Sequence, residues 1–70
     1  MLDLRGVPCP MSFIRAKLSL ERLSVGDRLE IWLDLGEPAE QVPQSLRMDG
    51  YCIHHIEMGE AFCALTVERR

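Results

Sequence analysis

Long hydrophobic runs are missing from this 70-residue chain, and no stretch of it approaches membrane-spanning length. The opening Met1-Leu2-Asp3-Leu4-Arg5 has neither the basic nor the apolar region of a signal peptide. Together these absences predict a cytoplasmic protein that does not engage a membrane. A surplus of positive charge is also missing. Eight Lys and Arg stand against 11 Asp and Glu, for a net charge of −3. Direct nucleic-acid binding needs a basic face that neutralises phosphates, so the balance argues against it. Arg5, Arg15 and Lys17 lie close enough in sequence to leave a local basic patch open. Cysteine is scarce and odd in number, at three. That excludes a complete disulfide framework and fits free thiols in a reducing compartment.

What is present is enough for one domain spanning residues 1–70. Hydrophobic residues make up 47% and charged residues 27%, ordinary for a globular protein and too apolar for a disordered one. The length has room for one sheet and two helices, and none for a deep cleft walled by several loops. Any chemistry then falls to one exposed group, with a partner supplying the rest. There is no internal repeat, linker or low-complexity tract.

Leu2-Asp3-Leu4 alternates and predicts a short first strand, broken by Gly6 to Pro8. A helix is predicted from Pro10 to about Leu23, with proline pre-organised at its first position. Arg28 to Asp34 alternates strictly, so Leu29, Ile31 and Leu33 should face the core and Arg28, Glu30, Trp32 and Asp34 should face outward. A second helix opens around Gly36-Glu37-Pro38 and ends at Gly50 as a left-handed cap. Pro43 inside it predicts an irregular or two-part helix. Tyr51–Met58 and Ala61–Glu68 flank Gly59-Glu60, which suits a type II′ hairpin pairing Met58 with Ala61 and Ile56 with Cys63. One face of it would carry Cys52, His54, Ile56, Met58, Ala61, Cys63, Leu65 and Val67 toward the core. The resulting order, βαβαββ, predicts an α/β (α+β) two-layer sandwich with two helices on one face of a mixed four-stranded sheet.

Cys9 stands between Pro8 and Pro10 at the expected N-cap of the first helix. Cap positions favour Ser, Thr, Asp or Asn, so cysteine there forgoes a good cap. The partial positive charge of a helix start stabilises a thiolate and lowers its pKa below about 8.5. Arg5 and Arg15 could add to this, while the prolines fix the backbone on both sides. The stretch "LDLRGVPCPMSFIRAK" resembles the start of the TusA-like (SirA/YeeD) family of sulfur carriers. The likeness continues through Arg15 and Lys17, Gly26-Asp27, Pro38, Val42-Pro43 and Gly50. It implies a βαβαββ two-layer fold and a persulfide carried transiently on Cys9, with no resident cofactor. It also implies a protein sulfur donor, a cysteine desulfurase or rhodanese-like protein, and a protein acceptor. Such a relay serves tRNA thiolation, cofactor assembly or sulfur metabolism, as a sulfurtransferase-type covalent shuttle and not a cleft enzyme. One departure stands out. The family's Cys-Pro-x-Pro motif reads Cys9-Pro10-Met11-Ser12 here. Ser12 could bond back toward the cap in its place.

The first helix carries two apolar stripes. Phe13, Ala16, Leu20 and Leu23 are assigned to the core. Met11, Ile14 and Leu18 lie on nearly the opposite side, as a docking patch for a sulfur partner beside Cys9. Arg15 and Lys17 could steer partners or stabilise the anionic sulfur, supported by Pro10 and Ser12. Cys52, His54, His55 and Cys63 match no standard metal spacing, and consecutive histidines on a strand point to opposite faces. They are read as core and surface residues, with no metal site and no Cys52–Cys63 disulfide. Outward-facing Trp32 could form a patch with Tyr51 or Phe62. Two rivals to the carrier remain: an interaction module that kept the fold without sulfur transfer, and a redox-sensing thiol.

Overall fold

Strict alternation in Arg28–Asp34 makes the strand on which the sheet is built. A computed structural model describes residues 1–8 and 10–70. Its elements run β1 (Leu2–Asp3), α1 (Met11–Glu21), β2 (Arg28–Asp34), α2 (Glu37–Met48), β3 (Cys52–Met58) and β4 (Phe62–Glu68). The sheet order is β1-β2-β4-β3, with β1 parallel to β2 and the other pairs antiparallel. Ile31 and Leu33 on β2 and Cys63, Leu65 and Val67 on β4 are buried, and Leu29 is half-buried. Against them pack Ala16 and Leu20 of α1 and Ala39, Val42 and Leu46 of α2. This is the expected two-layer sandwich, with its other sheet face uncovered.

α2 starts at Gly36, with Pro38 in its first turn and Glu37 and Glu40 near its positive end. It ends in a complete Schellman motif. Tyr51 N–H donates to the Leu46 carbonyl and Gly50 N–H to the Arg47 carbonyl, with Gly50 at φ 93°. The expectation of a two-part helix is corrected, because α2 runs unbroken through Pro43. The proline withholds one donor from the Ala39 carbonyl, but its ring is buried with Ala39, Val42 and Leu46.

The hairpin needs a larger correction. Met58 pairs with Cys63 and Ile56 with Leu65, a slip of two residues from the expected register. Gly59, Glu60 and Ala61 lie outside both strands, and Gly59 N–H donates to the Phe62 carbonyl. Gly59 does not take the positive φ that a type II′ turn requires. Glycine is needed for close approach instead, since a Cβ there would sit 2.9 Å from the Phe62 carbonyl oxygen.

An irregularity between Ile53 and His55 then moves part of β3 to the other face. Ile53 pairs with Val67 and packs on the core, while Cys52 pairs with Glu68. The expected inward placement of Cys52 and His54 is thereby corrected. Ala61 is exposed at the hairpin tip. Ile56 and Met58 keep the helix-side face but are exposed, because they lie toward the hairpin end of β3, an edge strand. No helix among the described residues is long and apolar enough to cross a membrane.

Candidate functional site

Both helices start at one pole of the sheet. β1 leads into α1 there, β2 leads into α2, and the Gly59–Ala61 tip closes β3 onto β4. A long-range bond fixes the β1–α1 connection: Gly6 N–H donates to Asp34 Oδ2 at 2.8 Å. Leu4 is buried, and Val7 N–H donates back to its carbonyl. The connection leading to the Cys9-Pro10 motif is therefore tied to the end of β2.

Cys9 itself, with its expected N-cap position, exposure and lowered pKa, lies outside the described residues. Its neighbours are placed. Pro10 occupies the N-cap (φ −90°, ψ 2°), so the expected cap at Cys9 is corrected and α1 begins one residue later than expected, at Met11. Ser12 N–H donates to the Pro8 carbonyl and Ile14 N–H to the Pro10 carbonyl, so the first turn is bonded through both prolines' carbonyls. The capping role expected of Ser12 is corrected. Its side chain is 0% exposed, and its Oγ has no hydrogen-bond partner among the described residues. Among the described residues no side chain caps α1.

The two stripes of α1 separate cleanly. Ala16 and Leu20 are buried and Phe13 packs on the core, while Met11, Ile14 and Leu18 are 44%, 41% and 53% exposed. At ~100° per residue, exposed Arg15 falls in the same outward arc. No ion pair of Arg15 is found among the described residues.

The other two cations of the expected basic patch are drawn elsewhere. Lys17 Nζ lies 3.2 Å from Asp49 Oδ2 at the end of α2, and that carboxylate raises the lysine's pKa. Arg5 turns to the uncovered sheet face. It donates to Asp3 at 2.9 and 2.8 Å and sits 4.9 Å from the Trp32 ring centroid and 5.1 Å from that of Phe62. Arg5 lies in the turn that follows β1, and its backbone N–H also donates to Asp3 Oδ1, which holds the two side chains together.

The side-chain hydrogen bond from Arg5, then its backbone N–H, hold the Asp3 carboxyl down at about 2, against an ordinary value of 3.8. The pairing is therefore intact above about pH 3.8 and is lost as pH falls through about 2. An NMR titration of Asp3 should find a midpoint near 2 in the parent and a higher one in Arg5→Ala, still below 3.8 because the backbone N–H of residue 5 keeps its bond. Equal midpoints in the two proteins would refute the pairing.

The remaining thiols and histidines lie away from this pole or in the core. Cys63 is buried, and burial pushes its thiol pKa up. Neither Cys52 nor Cys63 is in a disulfide. His54 reaches Glu68 at 2.6 Å, and His55 pairs across Thr66, so the irregularity in β3 puts both on the uncovered face. Among the described residues no group of three or more His, Cys, Asp or Glu is arranged to hold a metal ion. Trp32 stacks with Phe62 at 4.7 Å, whereas Tyr51 packs on the core.

This arrangement has known counterparts. The SirA-like protein of Desulfitobacterium hafniense, known from a crystal structure, shares the fold with a TM-score of 0.77. The match covers 96% of this chain and 92% of that one at 24% identity. Two proteins named "Putative sulfur carrier protein" are similar in sequence. The one from Archaeoglobus fulgidus is 31% identical over 71 residues, covering 100% of this chain and 81% of its own length. The one from Thermotoga maritima is 32% identical over 56 residues, covering 80% and 71%. Residues 1–69 match the family described as Sulfurtransferase TusA, and the chain belongs to that family.

Proposed function

We propose that the chain is a sulfur carrier, with Cys9 accepting sulfane sulfur as a persulfide and passing it to a second protein. The family match over residues 1–69, which takes in Cys9-Pro10, carries this reading. The relatives named for sulfur carriage support it.

The chemistry needs one thiolate and two partners. The Cys9 thiolate attacks the terminal sulfur of a donor persulfide. A sulfur–sulfur bond forms on Cys9, the donor's own sulfur–sulfur bond breaks, and the donor leaves as a thiolate with the electron pair. Handover repeats the step with Cys9 as leaving group, so no outside oxidant or reductant is consumed. The start of α1 favours the anionic sulfur through the helix dipole. Arg15, on the arc facing solvent, is the cation we assign to that anion or to steering a partner. Lys17 is placed with Asp49 and serves chiefly to join the helices.

Met11, Ile14 and Leu18 form the docking surface for donor and acceptor. Three exposed apolar side chains on one arc, with the opposite arc in the core, need a reason beyond folding.

The test is to incubate the protein with a cysteine desulfurase and free cysteine, then read intact mass without reductant. One added sulfur atom is expected, and none in Cys9→Ser. No gain from several donors, with the thiol shown to be accessible, would overturn the carrier reading in favour of an interaction module.

A further inference from the structure

The uncovered sheet face is not flat. A groove of about 560 Å³ runs across β2, β4 and β3 and reaches the hairpin tip. Its floor is Trp32, Phe62, Ala64 and Thr66. Its rim carries Glu30, Glu57 and Glu60, with His55 and no lysine or arginine among the described lining residues. Arg5 covers the ring faces of Trp32 and Phe62 from one side, but Asp3 neutralises it. The site therefore combines an apolar, partly aromatic floor with a negative rim whose carboxylates have at most partial partners among the described residues.

The geometry points to a docking site for an extended, basic segment of a partner protein, with arginine or lysine side chains meeting the Glu30, Glu57 and Glu60 rim. Charge complementarity selects the basic class, since two of the three carboxylates have only partial partners. Glu30 accepts Trp32 Nε1–H at 2.6 Å, and Glu57 lies 3.6 Å from His55. Both keep a lone oxygen for an incoming cation.

Shape selects a polypeptide over a small organic cation. Small-ligand pockets enclose most of their ligand. This groove is an open trough. Phe62 to Thr66 on one strand and the width of three strands make it roughly 13 by 10 Å. That is the footprint of about four extended residues. Long basic side chains would lay their apolar stems on Ala64 and Thr66 and reach the rim with their heads. The groove reaches the hairpin tip, at the pole of the sheet where α1 begins. The inference stands apart from sulfur carriage, because occupancy needs no sulfur on the chain.

The experiment uses the whole chain with amide NMR and Trp32 fluorescence. The probe is a capped peptide of alternating arginine and alanine, with an alternating glutamate–alanine peptide and spermidine alongside. The basic peptide should shift the Trp32 indole N–H and the amides of Phe62 and Thr66, and added salt should weaken it. Glu57→Gln/Glu60→Gln changes two exposed side chains and should weaken it roughly fivefold. Failure to shift the groove signals, shifts confined to the exposed arc of α1, equal binding by spermidine or the acidic peptide, or an unaffected double variant would each overturn the proposal. Sulfur loading of the double variant, read by mass, separates a failed groove from a failed carrier.

Discussion

Leu65→Ala should cost about 2–5 kcal/mol of folding stability, the range for emptying a leucine site in a packed core. Leu65 is fully buried at the centre of β4, opposite Ile31 on β2 and Ile56 on β3. Its side chain is closed in by the helices above and strands on both sides, so little can collapse into the gap. A chain of this size has roughly 4–10 kcal/mol in total, at ~0.05–0.15 kcal/mol per residue. The substitution should therefore remove a large share of it. Urea unfolding followed by the single tryptophan, Trp32, would show a lower midpoint at unchanged slope. Ile56→Ala is the internal control. It lies on the same face but on the exposed edge strand, and should cost less than ~1 kcal/mol. Equal losses at the two positions would mean that Ile56 is packed as fully as Leu65.

The second large effect has the opposite sign. Ser12→Ala should stabilise the chain by about 1–3 kcal/mol, the cost of burying a hydroxyl without a partner. Ser12 is fully buried, and its Oγ is unpaired among the described residues. Alanine is also the better helix former by about half a kcal/mol. The Ser12 N–H bond to the Pro8 carbonyl uses the backbone and survives the change. Thermal and urea unfolding would both report the gain. A loss of ~1 kcal/mol would instead show that the hydroxyl makes a bond essential to the start of α1. Ser12→Pro, which restores the family's second proline, removes the same hydroxyl but also that N–H. The gain from Ser12→Pro should be smaller by the value of one hydrogen bond, about 0.5–1.5 kcal/mol.

The sequence was readable wherever structure is decided by a local period. β2 has the bounds its alternation predicts, Arg28–Asp34. The two arcs of α1 fall where helical spacing puts them, and Gly50 ends α2 as its φ demands. Three features were not readable, each decided by distant contacts or a single inserted residue. The hairpin register slipped because Gly59 serves close approach to Phe62 and not a positive φ. One irregularity at Ile53/His55 then exchanged the faces of Cys52 and Ile53, since a one-residue shift reverses every side chain of a strand. Lys17 and Arg15 look alike in sequence, but only the fold brings Asp49 to Lys17 from 32 positions along the chain. Around the motif, the exposed stripe was legible from spacing. The Gly6–Asp34 tie and the groove across β2, β4 and β3 were not, because they join residues from separate elements.

The residues after β4 bear on how the domain can be joined to other things. Arg69 N–H donates to the Asp27 carbonyl, its own carbonyl accepts from Gly26 N–H, and its guanidinium bonds the Leu23 carbonyl. The carboxy end is thereby stitched to the turn before β2, at the pole opposite the hairpin tip. Met1 enters β1 from the same side, since β1 runs parallel to β2. A neighbour fused at either end, or a surface to which either end is anchored, would sit behind the sheet's far pole. The helix starts, the exposed arc of α1 and the groove would stay unobstructed, so this fold can be tethered by its tail without covering them.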